Sequence, residues 1–141
     1  MAMKPERRFR QSVTKHLKHL YHWGINDSFH AGVPDHYYSG PTGDLWAEYK
    51  YFPGDRDHFD LTLPEKNPKL SRLQQHWLNS RYDEGRTVWV VVGMPSGGVI
   101  LQDKTWMAEY TVQRLLSREE IANEILRICH APHSARPGNL L

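Results

Sequence analysis

Apolar residues near the start of the chain recur at helical spacing. Phe9, Val13, Leu17 and Leu20 form one stripe, and Pro5 suits a first turn, so a helix is predicted over about 5–21. Gly24 and the Asn26-Asp27-Ser28 run then interrupt the pattern. The period changes after that. Two strands are predicted, over about 32–38 and 44–51, joined by the turn-forming run Ser39-Gly40-Pro41-Thr42-Gly43. In the second strand Leu45, Ala47, Tyr49 and Tyr51 alternate with Trp46, Glu48 and Lys50, which puts the two sets on opposite faces.

Residues 53–68 are polar and read as a long loop, with a short strand expected at Leu61-Thr62-Leu63. A second helix is predicted over 70–82, capped by Ser71, burying Leu70, Leu73, Trp77 and Leu78, and closed by Gly85. The run Thr87 to Val92 is apolar almost throughout, as a strand buried on both faces is. Met94 to Gly98 forms a hairpin loop, and Val99-Ile100-Leu101 the return strand. Ser117 and Glu120 make a capping box for a last helix that turns Ile121, Ile125 and Ile128 inward and ends near Cys129. The tail 130–141, with two prolines and a glycine, is expected to be loose. The order helix, strands, helix, strand, strand, helix predicts a mixed α/β domain around one small sheet, with a core over about 5–129.

A chain of 141 residues suffices for a single domain with a single core. No apolar run approaches the roughly 20 residues of a membrane helix, and no apolar signal core follows the N-terminus, so neither a membrane nor a secreted location is expected. The one cysteine, Cys129, excludes an intrachain disulfide and a cysteine-based zinc cluster, and fits a reducing, cytoplasmic compartment. The net charge of +2 is uninformative, but its distribution is not. Up to Tyr21 the charges are Lys4, Arg7, Arg8, Arg10, Lys15 and Lys18 against the single acid Glu6. Such a segment is either a phosphate-binding surface or a solvated helix face. The histidines at 16, 19 and 22 stand three apart, but no cysteine supports them and no HExxH pattern occurs.

The chemistry concentrates in Gly32-Val33-Pro34-Asp35, followed after twelve residues by Glu48-Tyr49-Lys50. Magnesium takes hard oxygen ligands and keeps several waters. Two carboxylates, Asp35 and Glu48, with the main-chain carbonyl of Tyr49, suit it. Lys50 shares the Glu48 face of the strand and can orient or deprotonate a water, or stabilise charge on phosphorus.

These residues resemble the PD-(D/E)XK nuclease superfamily: Pro34-Asp35 matches the first half-motif and Glu48-Tyr49-Lys50 the second. The Gly-Val-Pro-Asp string at 32–35 and Leu70-Ser71-Arg72-Leu73-Gln74 are similar to the virus-type replication-repair nuclease (VRR-Nuc) group, over about 6–101. The resemblance implies a restriction-endonuclease-like core, a small mixed sheet flanked by helices. It implies that Asp35 and Glu48 bind Mg²⁺ or Mn²⁺, that Lys50 is the catalytic lysine, and that Gln74, or its neighbour Gln75, reaches back toward them. Glu6 is the one acid available on the first helix for the additional carboxylate common in the family. Lys4, Arg7, Arg8, Lys15 and His36 are the expected nucleic-acid contacts, and His30 and His58 could add to them. Trp46, on the Glu48 face, either packs beneath the site or stacks on a splayed base. The implied function is metal-dependent cleavage of DNA, on branched or four-way junctions, by a homodimer of phage or prophage origin acting in the host cytoplasm. The alternatives are a catalytically inactive DNA-binding module on the same fold and a small protein-interaction domain.

Overall fold

A nine-residue strand, β3 (Gly43–Tyr51), runs through the middle of the molecule and organises the rest. The computed structural model describes residues 3–25 and 31–130. Helix α1 (Pro5–Thr14) is followed by β1 (Tyr21–Gly24), β2 (His36–Gly40), β3, β4 (His58–Phe59), α2 (Arg72–Asp83), β5 (Val88–Met94), β6 (Gly97–Leu101), β7 (Tyr110–Thr111) and α3 (Arg118–Cys129). The main sheet has the order β1-β2-β3-β5-β6. Only β3 and β5 pair in parallel, linked by the long connection that carries α2, while the other pairs are antiparallel. β4 and β7 form a separate two-stranded ribbon.

The alternation along β3 divides the core in two. Leu45, Ala47 and Tyr49 enter one cluster with Phe9 and Val13 of α1 and Ile121 and Ile125 of α3. The other cluster holds Val88, Val90 and Val92 of β5 with Leu78 of α2, Phe59 and Trp106, and Trp46 packs on its margin. β5 is buried along its whole length, as its unbroken apolar sequence requires. Both capping boxes form: Ser71 with Gln74 on α2, and Ser117 with Glu120 on α3.

Several expectations are corrected. The first helix stops at Thr14. Leu17 and Leu20 are buried as the stripe predicts, but through a run of tight turns (His16 N–H to Val13, Leu17 N–H to Thr14, Leu20 N–H to Leu17), after which Tyr21-His22-Trp23-Gly24 form an edge strand. The next strand starts at His36 rather than at 32, because Gly32 sits at φ +91° and Pro34 has no N–H for a ladder. A Cβ on Gly32 would lie 2.5 Å from the Leu73 carbonyl, so this turn presses directly on the start of α2. The short strand in the long loop is at His58–Phe59, not at Leu61-Thr62-Leu63. Leu73, expected inside, is 56% exposed, and Ile128 is only half-buried. The tail beyond His130, the Asn26-Asp27-Ser28 run and His30 lie outside the described residues. Among the described residues, no helix is long and apolar enough to cross a membrane.

Candidate active site

The site forms where β3 outruns β2. The β2–β3 ladder ends at the pair His36–Ala47, so the next residues of β3 have no β2 partner. The N–H groups of Trp46 and Phe52 donate to Thr87 and Gly93 on the β5 side. An odd-numbered residue such as Tyr49 therefore turns both its N–H and its C=O to the opposite, open side. Asp35 waits there. The bend before β2 brings its carboxylate alongside, and Asp35 Oδ2 accepts the Tyr49 N–H at 2.9 Å. The Asp35 carbonyl accepts from Ile25 N–H at 2.8 Å and from Arg10 Nη1 at 3.3 Å, which ties the bend to β1 and α1.

Glu48 and Lys50 project from the other face of β3, under α2. Glu48 is 2% exposed and Lys50 9%, and their charges meet at 3.3 Å (Lys50 Nζ to Glu48 Oε2). Gln74 locks the pair: its Nε2 donates to Glu48 Oε2 at 2.9 Å, and its Oε1 accepts from Lys50 Nζ at 3.2 Å. The same Oε1 accepts the Ser71 N–H at 2.9 Å, and the Gln74 N–H donates to Ser71 Oγ at 3.1 Å. The Leu-Ser-x-x-Gln string thus has a physical meaning. The residue that closes the capping box of α2 is the residue that holds the Glu–Lys pair. Gln75 does not take part; its amide donates to the Leu70 carbonyl at 2.9 Å.

Carboxylates crowd this small volume. Burial raises the pKa of Glu48 well above the usual range, with the Asp35 charge adding to it, while Lys50 opposes. Burial likewise raises Asp35, against the Tyr49 N–H, Arg10 and Lys50, which favour its charged form. Burial and the Asp35 charge raise the pKa of Glu6, while Lys50, Arg10 and Lys4 oppose. Glu48 Oε1 is buried without a hydrogen-bond partner. An orphaned carboxylate oxygen among groups that repel one another is what a cation relieves. Asp35, Glu48 and the open Tyr49 carbonyl therefore fit a hard divalent ion. Among the described residues, no three His, Cys, Asp or Glu side chains cluster as a metal site; an ion held here would draw on the Tyr49 carbonyl and water as well.

The expected nucleic-acid contacts divide. Lys4, Arg7 and Arg8 are exposed around the start of α1, the end that carries Glu6. Lys15 is exposed just past the helix C-terminus, about 15 Å along the axis. His36 does not join them. It is 6% exposed, its Nε2 meets His22 Nδ1 at 2.8 Å, and burial lowers its pKa to about 3, so it is a neutral interior group. His16 and His19 lie in the turns after α1 and His22 on β1, so the three do not share a helix. Arg10 is the residue whose importance was not read from the sequence. The signal was available: it lies four residues after Glu6, on the same helix face.

No protein-family model matches the chain, and no curated protein matches it. A solved structure does: the Holliday junction resolvase Hjc from the archaeal hyperthermophile Archaeoglobus fulgidus. It superposes with a TM-score of 0.53 at 13% sequence identity, over 84% of this chain and 98% of that one. The expected fold, a small mixed sheet flanked by helices of the restriction-endonuclease-like type, is thus the fold observed.

Proposed function

We propose that this protein is a divalent-metal-dependent DNA endonuclease that hydrolyses phosphodiester bonds in branched DNA. One observation carries the reading: a buried, unpartnered carboxylate oxygen on Glu48, beside Asp35 and behind a lysine held by Gln74. The resolvase likeness supports the substrate class. Asp35, Glu48 and the Tyr49 carbonyl would hold Mg²⁺ or Mn²⁺, with Glu6 available through water. Bound there, the ion would polarise the scissile phosphate and lower the pKa of a water.

The chain's own residues do the rest. Lys50, fixed by Gln74 and Glu48, presents a positive charge to the extra negative charge of the five-coordinate phosphorus, and can donate a proton to the departing oxygen. Gln74 removes the rotamer freedom of both partners, so that the charge is in place before substrate arrives. Arg10 holds the Asp35 bend, and Lys4, Arg7 and Arg8 contribute salt-dependent attraction for the phosphate backbone. Two copies of the chain would address two strands of a four-way junction. The Gly32 to Asp35 and Leu70 to Gln74 strings support placement in the phage-type VRR-Nuc group, with action in the host cytoplasm.

The test is cleavage of a labelled four-way junction and of a linear duplex with Mn²⁺ or with EDTA, by wild type and Lys50→Ala. Metal-dependent cutting of the junction, lost in the variant, is expected. Binding without cutting would make the protein an inactive DNA-binding module instead.

A further inference from the structure

The face of the sheet that carries Glu48 and Lys50 continues beyond the edge of α2, and there it is aromatic. The register sets Trp23 of β1 opposite Tyr37 of β2, and Tyr37 opposite Trp46 of β3. Residues directly opposite in an antiparallel pair point to the same side. The three therefore form one row across three strands. Tyr37 and Trp46 have ring centroids 4.6 Å apart, and Trp77 of α2 meets Trp46 edge-on at 5.4 Å. Trp23 is 57% exposed and Tyr21, two residues back on the same face, 66%. Edge strands normally cover or charge such a surface.

Two features say what this surface receives. The first is its position. Glu48 stands two residues after Trp46 on the same strand face, about 7 Å along β3, and Asp35 stands two before Tyr37. The second is its chemistry. The Arg81 guanidinium lies over the Trp77 ring, 5.5 Å from its centroid, and Arg86 lines the same hollow, about 790 Å³ between Tyr37, Trp46 and Trp77. Among the described residues lining it, the one carboxylate, Asp44, is engaged by the Tyr37 hydroxyl at 2.5 Å and the Ser39 hydroxyl at 2.8 Å. The Arg81–Glu84 ion pair at 2.9 Å is exposed on both sides and holds Arg81 weakly. Flat π-faces flanked by arginine suit bases with their phosphates.

We propose that the Trp23–Tyr37–Trp46 row, with Trp77 and Arg81, is a stacking platform for unpaired nucleotides that lead into the cleavage site. This rests on the nuclease reading for its role, though not for its binding. A paired duplex cannot offer its bases to such a platform; a junction arm, flap or gap can. The platform would therefore set the preference for DNA with unpaired bases next to the cut.

The test uses the full chain in EDTA, so that binding is separated from cleavage. An eight-residue oligo(dT) is titrated while tryptophan fluorescence is followed, and a labelled blunt duplex of the same charge serves as control. Wild type is expected to show quenching by oligo(dT). Trp23→Ala changes an exposed residue and should weaken oligo(dT) by at least about fivefold while leaving duplex affinity unchanged. Arg81→Ala should weaken oligo(dT) in the same direction. Equal binding of oligo(dT) by wild type and Trp23→Ala, absence of oligo(dT) binding by wild type, or parallel loss of oligo(dT) and duplex would each overturn the proposal. So would a change of oligomeric mass in Trp23→Ala with oligo(dT) binding intact, which would make the row a contact between copies. Lys50→Ala keeps the platform: if neither wild type nor this variant cuts DNA with Mn²⁺ while both bind oligo(dT), the nuclease reading fails and the platform stands, and if wild type cuts while the variant is inactive yet binds oligo(dT) as wild type does, both stand.

Discussion

The two faces of β3 are built from alternating residues of one strand, and they obey opposite rules. Leu45, Ala47 and Tyr49 face α1 and α3 in an apolar cluster, where the Tyr38 and Tyr49 hydroxyls satisfy each other at 2.5 Å. Glu48 and Lys50 face α2, where charge is buried and one carboxylate oxygen is unsatisfied. Burial stabilises the first face at about 25 cal/mol per Å² of apolar surface. It destabilises the second, because each charged group loses water for incomplete compensation. A protein tolerates such a cost where the group has chemistry to perform. The first face holds the fold, and the second carries a cost in stability that the proposed site would account for.

Substitutions should separate the two. The largest expected effect is on the charged face: Lys50→Ala should lower the cleavage rate of the folded fraction at least about 100-fold, with some loss of thermal stability because one partner of a buried pair is removed. A variant that cuts normally would remove the lysine from the chemistry. On the apolar face, Leu45→Ala should cost about 2–5 kcal/mol of unfolding free energy, measured by denaturant titration, and leave the rate of the folded fraction unchanged.

The pH dependence sharpens the contrast. Asp35, Glu48 and Glu6 have folded-state pKa values raised, chiefly by burial. In the window between their ordinary and raised values the folded chain holds more protons than the unfolded chain. Stability without metal therefore falls as pH rises through that window. A divalent cation replaces those protons, so the melting-temperature gain from Mn²⁺ should be larger at pH 8 than at pH 5.5. Glu48→Gln should melt higher than wild type in EDTA and lose the Mn²⁺ gain. An equal gain at both pH values, or a gain that survives in Glu48→Gln, would remove the cation from this site.

Smaller effects follow at the two residues that hold each face together. Gln74→Ala opens the capping box, costing about 1 kcal/mol, and should also slow cleavage on the order of 10-fold or more. Gln74→Glu retains the cap acceptor but not the amide donor to Glu48; if it restores stability without restoring rate, the two duties of Gln74 are distinct. Tyr49→Phe removes one buried hydroxyl partner and should cost about 1 kcal/mol, with cleavage unaffected.

Much of this was legible in the sequence, because it depends on local periodicity. The alternation in 44–51 put Glu48 and Lys50 on one face, and β5, the Ser71 cap and the Ser117–Glu120 capping box follow directly from residue pattern. Errors arose where tertiary contacts outweigh periodicity. Leu17 and Leu20 satisfy a helical stripe yet reach the core through turns, because the chain must double back to lay Tyr21–Gly24 on the sheet edge. His36 carries a polar label but sits inside, its Nε2 paired with His22 from a strand the periodicity did not reveal and its Nδ1 left without a hydrogen-bond partner. The aromatic row was invisible for the same reason, since Trp23, Tyr37 and Trp46 become neighbours only through strand register.

Residue order alone thus determined which side chains share a face of β3 and which serines cap α2 and α3, since each depends on spacings of two to four residues. Only the tertiary structure decided that β2 ends before β3 does. That leaves the Tyr49 backbone open to Asp35, seats Gln74 on Glu48 and Lys50, and leaves one carboxylate oxygen unpaired, because these contacts join residues 14 to 26 apart that nothing but packing brings together.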